Sequence, residues 1–253
     1  MKMIEIAIDG QKIEVEERST ILDAAKRLGI WIPTLCHHDA LSSQGACRSC
    51  IVEIERPNGR KKVVTACNFP IEEPIKVETA NEKIQKERRM IVELLLARCP
   101  NTPAILDLAA KLGIEAPRFE KDDKYCILCG LCVRVCAEVI GRSAIEFVNR
   151  GIEEGVDTPF GVQSDACIGC GACAYLCPTG IIYVDDSSGV RKIKRWHAEF
   201  ELAHCTECGK PITTKKHIEY LKEKMNLPDY VWELCDECKR RYYMENVALV
   251  GHM

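Results

Sequence analysis

Cysteine is the residue type that most limits how this chain can fold, because the 253 residues contain 17 of them. Many are clustered, and two runs repeat the spacing C-x2-C-x2-C-x3-C. The runs are Cys126, Cys129, Cys132 and Cys136, and then Cys167, Cys170, Cys173 and Cys177. Clustered thiols in this number indicate disulfides or metal. Disulfides are rare in reducing compartments. We therefore expect a cytoplasmic, metal-binding protein.

Each run is typical of a [4Fe-4S] site. Three thiolates separated by two residues can bind three corners of one cubane, while the fourth cysteine is carried to the other cluster. The predicted ligands are Cys126, Cys129, Cys132 and Cys177 for cluster one, and Cys136, Cys167, Cys170 and Cys173 for cluster two. Zinc is a weak alternative, because a tetrahedral ion has no use for two interlocked runs. Residues 121–185 resemble the bacterial two-cluster ferredoxin domain.

A third set of cysteines lies near the N-terminus with the spacing C-x10-C-x2-C-x16-C. Its members are Cys36, Cys47, Cys50 and Cys67. The plant-type [2Fe-2S] pattern is C-x4-C-x2-C…C, so this set is a variant with a longer first gap. We expect a [2Fe-2S] cluster here, with zinc as the weaker alternative. His37 and His38 are not needed as ligands once four thiolates are present.

The residues around this set carry a more specific resemblance. Segments 32–38, 45–53 and 65–67 resemble the N-terminal region of the large iron–sulfur subunit of complex I. They equally resemble the small diaphorase subunits of NAD-linked hydrogenases and formate dehydrogenases, and the related subunits of bifurcating transhydrogenases. In the complex I family the next segment holds a [4Fe-4S] cluster through H-x3-C-x2-C-x5-C, whereas this chain keeps only Cys99 there. One thiolate cannot hold a cubane, so we expect that cluster to be absent.

The last four cysteines form two C-x2-C pairs, separated by 26 residues: Cys205 with Cys208, and Cys235 with Cys238. Two such pairs favour a structural zinc site. A Gly-Lys dipeptide after the first pair, at residues 209–210, is typical of zinc ribbons. A further iron–sulfur cluster is the alternative. The basic runs at 191–195 and 239–241 are expected to be solvated surface, with docking of a partner as the alternative.

The fold class that these patterns predict is α+β. Apolar residues alternate from Ile4 to Ile8, a hairpin signal follows at residues 9–10, and a capping box runs from Thr20 to Asp23. These features predict a β-grasp [2Fe-2S] ferredoxin domain. The apolar stripe of Ile84, Ile91, Leu94 and Leu95 predicts that the following helix packs on its neighbours.

The chain is predicted to contain four parts. They are a β-grasp [2Fe-2S] domain (1–80), a helical connector (81–120), a bacterial two-[4Fe-4S] ferredoxin-like domain (121–190) and a small four-cysteine metal-binding module (195–253).

Several function classes find no support in the sequence. The net charge of -3 does not indicate nucleic acid as a partner. The sequence contains no apolar stretch of about 18 residues, so no membrane span is predicted. Glu5 and Asp9 lie where the apolar region of a signal peptide would be, so no signal peptide is predicted. Neither G-x-G-x-x-G after a strand nor G-x-x-x-x-G-K-[ST] is present, so no nucleotide site is predicted.

We therefore expect a non-catalytic electron-transfer subunit with one [2Fe-2S] cluster, two [4Fe-4S] clusters and one zinc ion or further cluster. The complex I resemblance implies a flavin-bearing, NAD(P)-binding partner subunit. A second redox subunit or ferredoxin would take the electrons onward. The alternatives are a free-standing polyferredoxin carrier and, more remotely, an enzyme that holds an extra cofactor of its own.

Overall fold

The computed structural model describes residues 2–121 and 124–250, and the side chains up to residue 245. Residues 1, 122–123 and 251–253 of the predicted domains lie outside the described residues. The N-terminal region is a mixed sheet with strand order β2-β1-β5-β3-β4, in which β1 and β5 are parallel and the other neighbours antiparallel. Its elements are β1 (Met3–Ile8), β2 (Gln11–Glu16), α1 (Ile21–Arg27), β3 (Ile51–Glu55), β4 (Lys61–Thr65) and β5 (Lys76–Glu78).

Local sequence signals explain this N-terminal region well. Ile4, Ile6 and Ile8 are buried on one face of β1. Residues 9 and 10 both have positive φ, as the turn between β1 and β2 requires. The capping box at the start of α1 forms: the Thr20 side chain accepts from the Asp23 backbone N–H, and the Asp23 carboxylate accepts from the Thr20 backbone N–H. The sheet and α1 bury a common aliphatic core.

The connector consists of α2 (Glu82–Arg98) and α3 (Pro103–Lys111). The predicted buried stripe on α2 is partly wrong, because Leu94 is 50% exposed, and Val92 and Leu96 are buried instead. The apolar face is therefore rotated from the predicted one. These two residues pack with Ile105 of α3 in a core that also contains cysteines of the neighbouring parts.

The region of the two cysteine runs is built from short elements. They are α4 (Leu131–Arg134), β6 (Glu146–Val148), β7 (Gly155–Asp157) and α5 (Ala172–Tyr175). A π-helical turn, 135–139, continues α4 and contains Cys136. Such turns are rare in proteins, and those that occur are often at functional sites. Strand β6 pairs with β7, inside the segment that separates the two runs.

The C-terminal region begins with a three-stranded antiparallel sheet of order β10-β9-β8. Its elements are β8 (Val190–Ile193), β9 (Ala198–His204), β10 (Pro211–Thr214), α6 (Lys215–Lys224), α7 (Tyr230–Glu233) and α8 (Asp236–Val250). This sheet starts before the boundary predicted at residue 195. The chain as a whole is thus a mixed helix and strand protein with a four-cysteine group near its C-terminal end. In the described residues, no helix combines the length and the apolar character that crossing a membrane requires.

Candidate metal centres

The four N-terminal cysteines are buried together between the loop after α1 and the ends of β3 and β4. Their side chains form a series of thiol contacts in the order Cys47, Cys36, Cys67, Cys50. Contacts from Cys47 and Cys67 hold the pKa of Cys36 far below its usual value. The contact from Cys67 lowers the pKa of Cys50 to about 7. The same contacts raise the pKa of Cys47 and Cys67, because a thiol that donates to a neighbouring thiolate keeps its proton. Iron binds the thiolate form, so occupation of the site by iron would release these protons.

Polar groups surround this site, and the two nearby histidines have hydrogen-bond partners of their own. The backbone N–H of Cys47 donates to Cys36 Sγ at 3.5 Å, and Ser49 Oγ lies 3.0 Å from Cys47 Sγ. The side chain of His37 contacts Ser43 and Asp39, and His38 Nδ1 accepts from a backbone N–H.

The eight cysteines of the repeated runs surround two separate apolar cavities. Cys126, Cys129, Cys132 and Cys177 line one of them, and Cys136, Cys167, Cys170 and Cys173 line the other. Each cavity therefore receives three cysteines from one run and the last cysteine of the other.

The electrostatics of these cavities fit a bound cationic cluster core. Burial raises the pKa of Cys129 to about 11 and that of Cys173 to about 12. It also raises the pKa of Cys132. Buried thiols of this kind remain protonated unless a nearby cation compensates the thiolate. Iron ions supply that charge, so the donor set suits iron–sulfur ligation.

Two N–H donors contact the sulfurs of the second cavity. The backbone N–H of Ala144 donates to Cys136 Sγ at 3.3 Å, and the indole Nε1–H of Trp196 donates to Cys173 Sγ at 3.3 Å. Trp196 is 1% exposed and borders both cavities. Hydrogen bonds to sulfur tune the reduction potential of a cluster.

The C-terminal region packs directly on the loop of the second cavity. Gly169 lies in this loop with φ of 66°, and an added Cβ would come within 2.6 Å of Phe200 and 2.8 Å of Thr214. Thr214 Oγ1 also donates to the carbonyl of Ile168, and Arg191 Nη1 donates to the carbonyl of Gly169 at 3.1 Å. Glycine is required here because the backbone conformation and the close approach both exclude a side chain.

The prediction of a solvated basic run is wrong for Arg191. This residue pairs with Asp186 at 2.8 Å, and its side chain is only 13% exposed. It therefore contributes to the packing on the second cavity.

The four C-terminal cysteines form a much tighter group than the others. The sulfurs of Cys205, Cys208, Cys235 and Cys238 all lie within 4.8 Å of one another. Those of Cys208 and Cys235 are 3.6 Å apart. Burial by itself raises the pKa of Cys205. Hydrogen bonds from backbone N–H groups, of which that of Cys235 contributes most, outweigh this effect and lower the pKa to about 6. Within the described ranges, no other trio of cysteine, histidine or acidic ligand atoms converges as closely.

Comparison with known proteins identifies two of these regions. Residues 1–82 match the family described as "2Fe-2S iron-sulfur cluster binding domain". Residues 125–181, and again 166–214, match the family described as "4Fe-4S dicluster domain". This chain is an iron–sulfur protein. The predicted resemblance to iron–sulfur subunits of NAD(P)-linked oxidoreductases is confirmed by its relatives.

Two curated relatives illustrate this resemblance. The iron–sulfur chain is 38% identical over 205 residues to "NADPH-Fe(3+) oxidoreductase subunit alpha" of Geobacter sulfurreducens, a match that covers 71% of this chain and 24% of the relative. It is 33% identical over 235 residues to an NADH-quinone oxidoreductase subunit of Rhizobium meliloti, with 82% and 27% covered. The chain thus spans about a quarter of the length of these relatives.

A solved structure has a similar fold. It is described as "Crystal structure of NAD+-reducing [NiFe]-hydrogenase in the H2-reduced state", and the match has 28% identity and a TM-score of 0.53. It covers 61% of the iron–sulfur chain and 74% of the solved one.

Sequence patterns missed three residues at these centres. Trp196 was not predicted because it lies outside every cysteine run. Phe200 approaches the second cavity only through the tertiary packing of β9. Arg134 lies within the first run, and its signal is a single charge inside the otherwise apolar segment 131–135.

Proposed function

We propose that this chain is an electron-transfer subunit that connects a flavin-bearing, NAD(P)-binding partner to a second redox subunit. One [2Fe-2S] and two [4Fe-4S] clusters would carry the electrons. The second subunit would belong to a hydrogenase, a formate dehydrogenase or a bifurcating transhydrogenase complex. The names of the relatives support an NAD(P)-linked assembly, and the match to a 2Fe-2S domain followed by a dicluster domain supports the cluster types.

The observation that carries this proposal is the contiguity of the three centres. Cys36 and Cys47 of the N-terminal centre share one buried core with Cys129 of the first cavity. Cys132 of the same cavity shares the next core with Cys173 of the second cavity. Electrons could therefore pass from the [2Fe-2S] cluster to cluster one and then to cluster two.

We assign the ligands accordingly. Cys36, Cys47, Cys50 and Cys67 would hold the [2Fe-2S] cluster; Cys126, Cys129, Cys132 and Cys177 cluster one; and Cys136, Cys167, Cys170 and Cys173 cluster two. Bound iron would supply the one-electron chemistry. The chain bears the thiolates, excludes water and provides N–H donors to sulfur.

The C-terminal group would bind a single zinc ion. Four sulfurs at about 2.3 Å from one tetrahedral ion lie about 3.8 Å from each other, close to the 3.6 Å between Cys208 and Cys235. In a [4Fe-4S] cubane each thiolate binds a different iron, so the sulfurs lie farther apart. The convergence of all four atoms within 4.8 Å therefore favours zinc over a further cluster.

Metal analysis of the anaerobically purified protein tests the cofactors. We expect about ten iron and one zinc per chain, which is the sum for the three clusters and one tetrahedral site. A content of about fourteen iron without zinc would instead place a fourth cluster at the C-terminal site.

Purification of the tagged chain from its own organism tests the function. A flavin-containing polypeptide should co-purify, and NAD(P)H should reduce the clusters in this complex but not in the isolated chain. Reduction of the isolated chain by NAD(P)H would place a nucleotide site on the chain itself and refute the proposal. Recovery of only a monomer that exchanges electrons with reduced ferredoxin would favour the free carrier.

A further inference from the structure

Arg134 connects the N-terminal centre to the first cavity. It lies at the end of α4, between Cys132 and Cys136, and is 8% exposed. Its Nη2 donates to the carbonyl of Cys36 at 2.7 Å and to the carbonyl of Cys129 at 3.2 Å. Its Nη1 donates to the carbonyl of Ser42. One nitrogen thus contacts a cysteine from each of two centres.

The charge of this guanidinium is unusually placed. A buried cation is costly unless an opposite charge or hydrogen bonds compensate it. Among the described residues, no carboxylate lies within ion-pair distance of Arg134. The carboxylate of Glu138 instead accepts from the Ser42 backbone N–H at 2.7 Å and from the Ser42 hydroxyl. These hydrogen bonds lower the pKa of Glu138, and the charge of Arg134 contributes to the same shift.

One of its donors also lacks an acceptor. Arg134 Nε is the buried side-chain nitrogen or oxygen that has no hydrogen-bond partner in the part of the chain that the structure describes. An unsatisfied buried donor destabilises the fold, because it has lost its hydrogen bonds to water and gained none in return. Anionic groups held by Cys36 on one side and by Cys129 on the other would compensate this buried cation.

We propose that Arg134 is a positioning residue that is shared by the [2Fe-2S] cluster and cluster one and raises the reduction potential of both. This inference rests on the ligand assignment in the proposed function. Clusters held by four thiolates are net negative and gain a further negative charge on reduction. A fixed, buried cation therefore stabilises the reduced state of each. Its contacts with the carbonyls of Cys36 and Cys129 also fix the spacing of the two ligand loops, across which the electron must pass.

Arg88 provides a matched comparison. It is also buried, at 4% exposed, and donates to the carbonyls of Ser49, Ile51 and Thr79. Its contacts are therefore confined to the N-terminal domain and its edge, whereas those of Arg134 reach both centres. Arg134→Met and Arg88→Met both remove a buried arginine. They differ in that only Arg134→Met also removes a contact with the first cavity, at the carbonyl of Cys129.

The test measures potentials in the full chain by redox titration monitored by electron paramagnetic resonance, for wild type, Arg134→Met, Arg134→Lys and Arg88→Met. In Arg134→Met the [2Fe-2S] couple and one of the two [4Fe-4S] couples should fall. The expected fall is at least about tenfold in the equilibrium constant for reduction, which is about 59 mV for one electron. Arg134→Lys keeps the cation and should recover most of this shift, while Arg88→Met should leave both [4Fe-4S] couples unchanged.

Unchanged potentials in Arg134→Met with full iron content would overturn the inference and leave the proposed function intact. An equal fall of a [4Fe-4S] couple in Arg88→Met would also overturn it. If Arg134→Met loses iron, Arg134→Lys decides. Retained clusters whose potentials fall by about 59 mV or more below those of wild type would contradict a role for the cation. Absence of iron from the wild-type centres would instead refute the ligand assignment.

Discussion

Gly169→Ala tests whether the C-terminal region closes the second cavity. The substitution places a Cβ at 2.6 Å from Phe200 and 2.8 Å from Thr214, closer than non-bonded atoms approach. It also puts a side chain at a φ of 66°, which costs about 1–2 kcal/mol for a non-glycine residue. Relief of the overlap requires movement of β9 or β10, and overpacking of this kind costs about 1–3 kcal/mol.

Gly180→Ala is the matched control. Gly180 has a φ of 68° and follows Cys177 of the first cavity, but an added Cβ would meet no atom within 4 Å. The backbone cost and the reduced entropy of the unfolded chain are therefore common to both variants. Their difference isolates the overlap, about 1–3 kcal/mol, which corresponds to roughly 5- to 150-fold in an equilibrium constant.

The assay is the rate of iron release to a chelator under anaerobic conditions, with electron paramagnetic resonance to identify the cluster lost. When local opening is fast, this rate follows the population of the open state. One [4Fe-4S] cluster should be lost roughly 5- to 150-fold faster in Gly169→Ala than in Gly180→Ala, while the [2Fe-2S] cluster is lost at the same rate in both. Equal rates in the two variants, or equal acceleration of all clusters, would refute the reasoning.

Three further predictions follow from single contacts. Trp196→Phe removes the N–H donor to Cys173 but keeps a buried aromatic ring. The potential of one [4Fe-4S] couple should therefore fall in a redox titration. An unchanged potential would show that this hydrogen bond does not tune the cluster. Cys99→Ala should keep the wild-type iron content, whereas Cys132→Ala should lose iron; iron loss in Cys99→Ala would make Cys99 a ligand. Glu53 pairs with Lys83 at 2.7 Å, and that hydrogen bond lowers the pKa of Glu53. Glu53→Gln should therefore lower the thermal midpoint at neutral pH by an amount equivalent to about 1 kcal/mol or less. Because the pKa of Glu53 is lower in the folded state, its ionised form stabilises the fold at pH values above the unfolded pKa, which is near 4.3. The stability difference between wild type and Glu53→Gln should therefore vanish as pH falls through the folded pKa. A difference independent of pH would contradict the ion-pair explanation.

Sequence spacing predicted which cysteines would lie together because ligand geometry is local. Each C-x2-C pair or run is a short segment whose backbone brings its own thiols near one point, and the structure brings all four predicted groups together. Ligation itself remains a prediction. The β1–β2 hairpin and the capping box of α1 were predictable for the same reason, since turn and cap residues act over a few positions.

The features that escaped prediction depend on contacts between distant segments. The direction of the buried face of α2 is set by α3 and the cysteine loops, so Leu94 could not be placed from periodicity alone. Arg134 reaches Cys36 across 98 positions of the chain. Trp196 is brought to Cys173 by the turn between β8 and β9. Strand β6 pairs with β7, and both lie in the segment between the two cysteine runs, so the spacing of the cysteines carries no information about this pairing.

The surroundings of the two cavities bear on whether the chain acts alone. A small diffusing carrier exchanges electrons through cluster loops that face solvent. Here the loop of the first cavity faces the N-terminal domain, since a Cβ at Gly130 would overlap the side chain of Gln44. The loop of the second faces Phe200 and Thr214 of the C-terminal region in the same way. Segments outside the two-cluster repeat thus pack against one loop of each cavity. The contact at Gly130 lies on the side from which internal transfer would reach cluster one, which supports a subunit of an assembly over a free carrier.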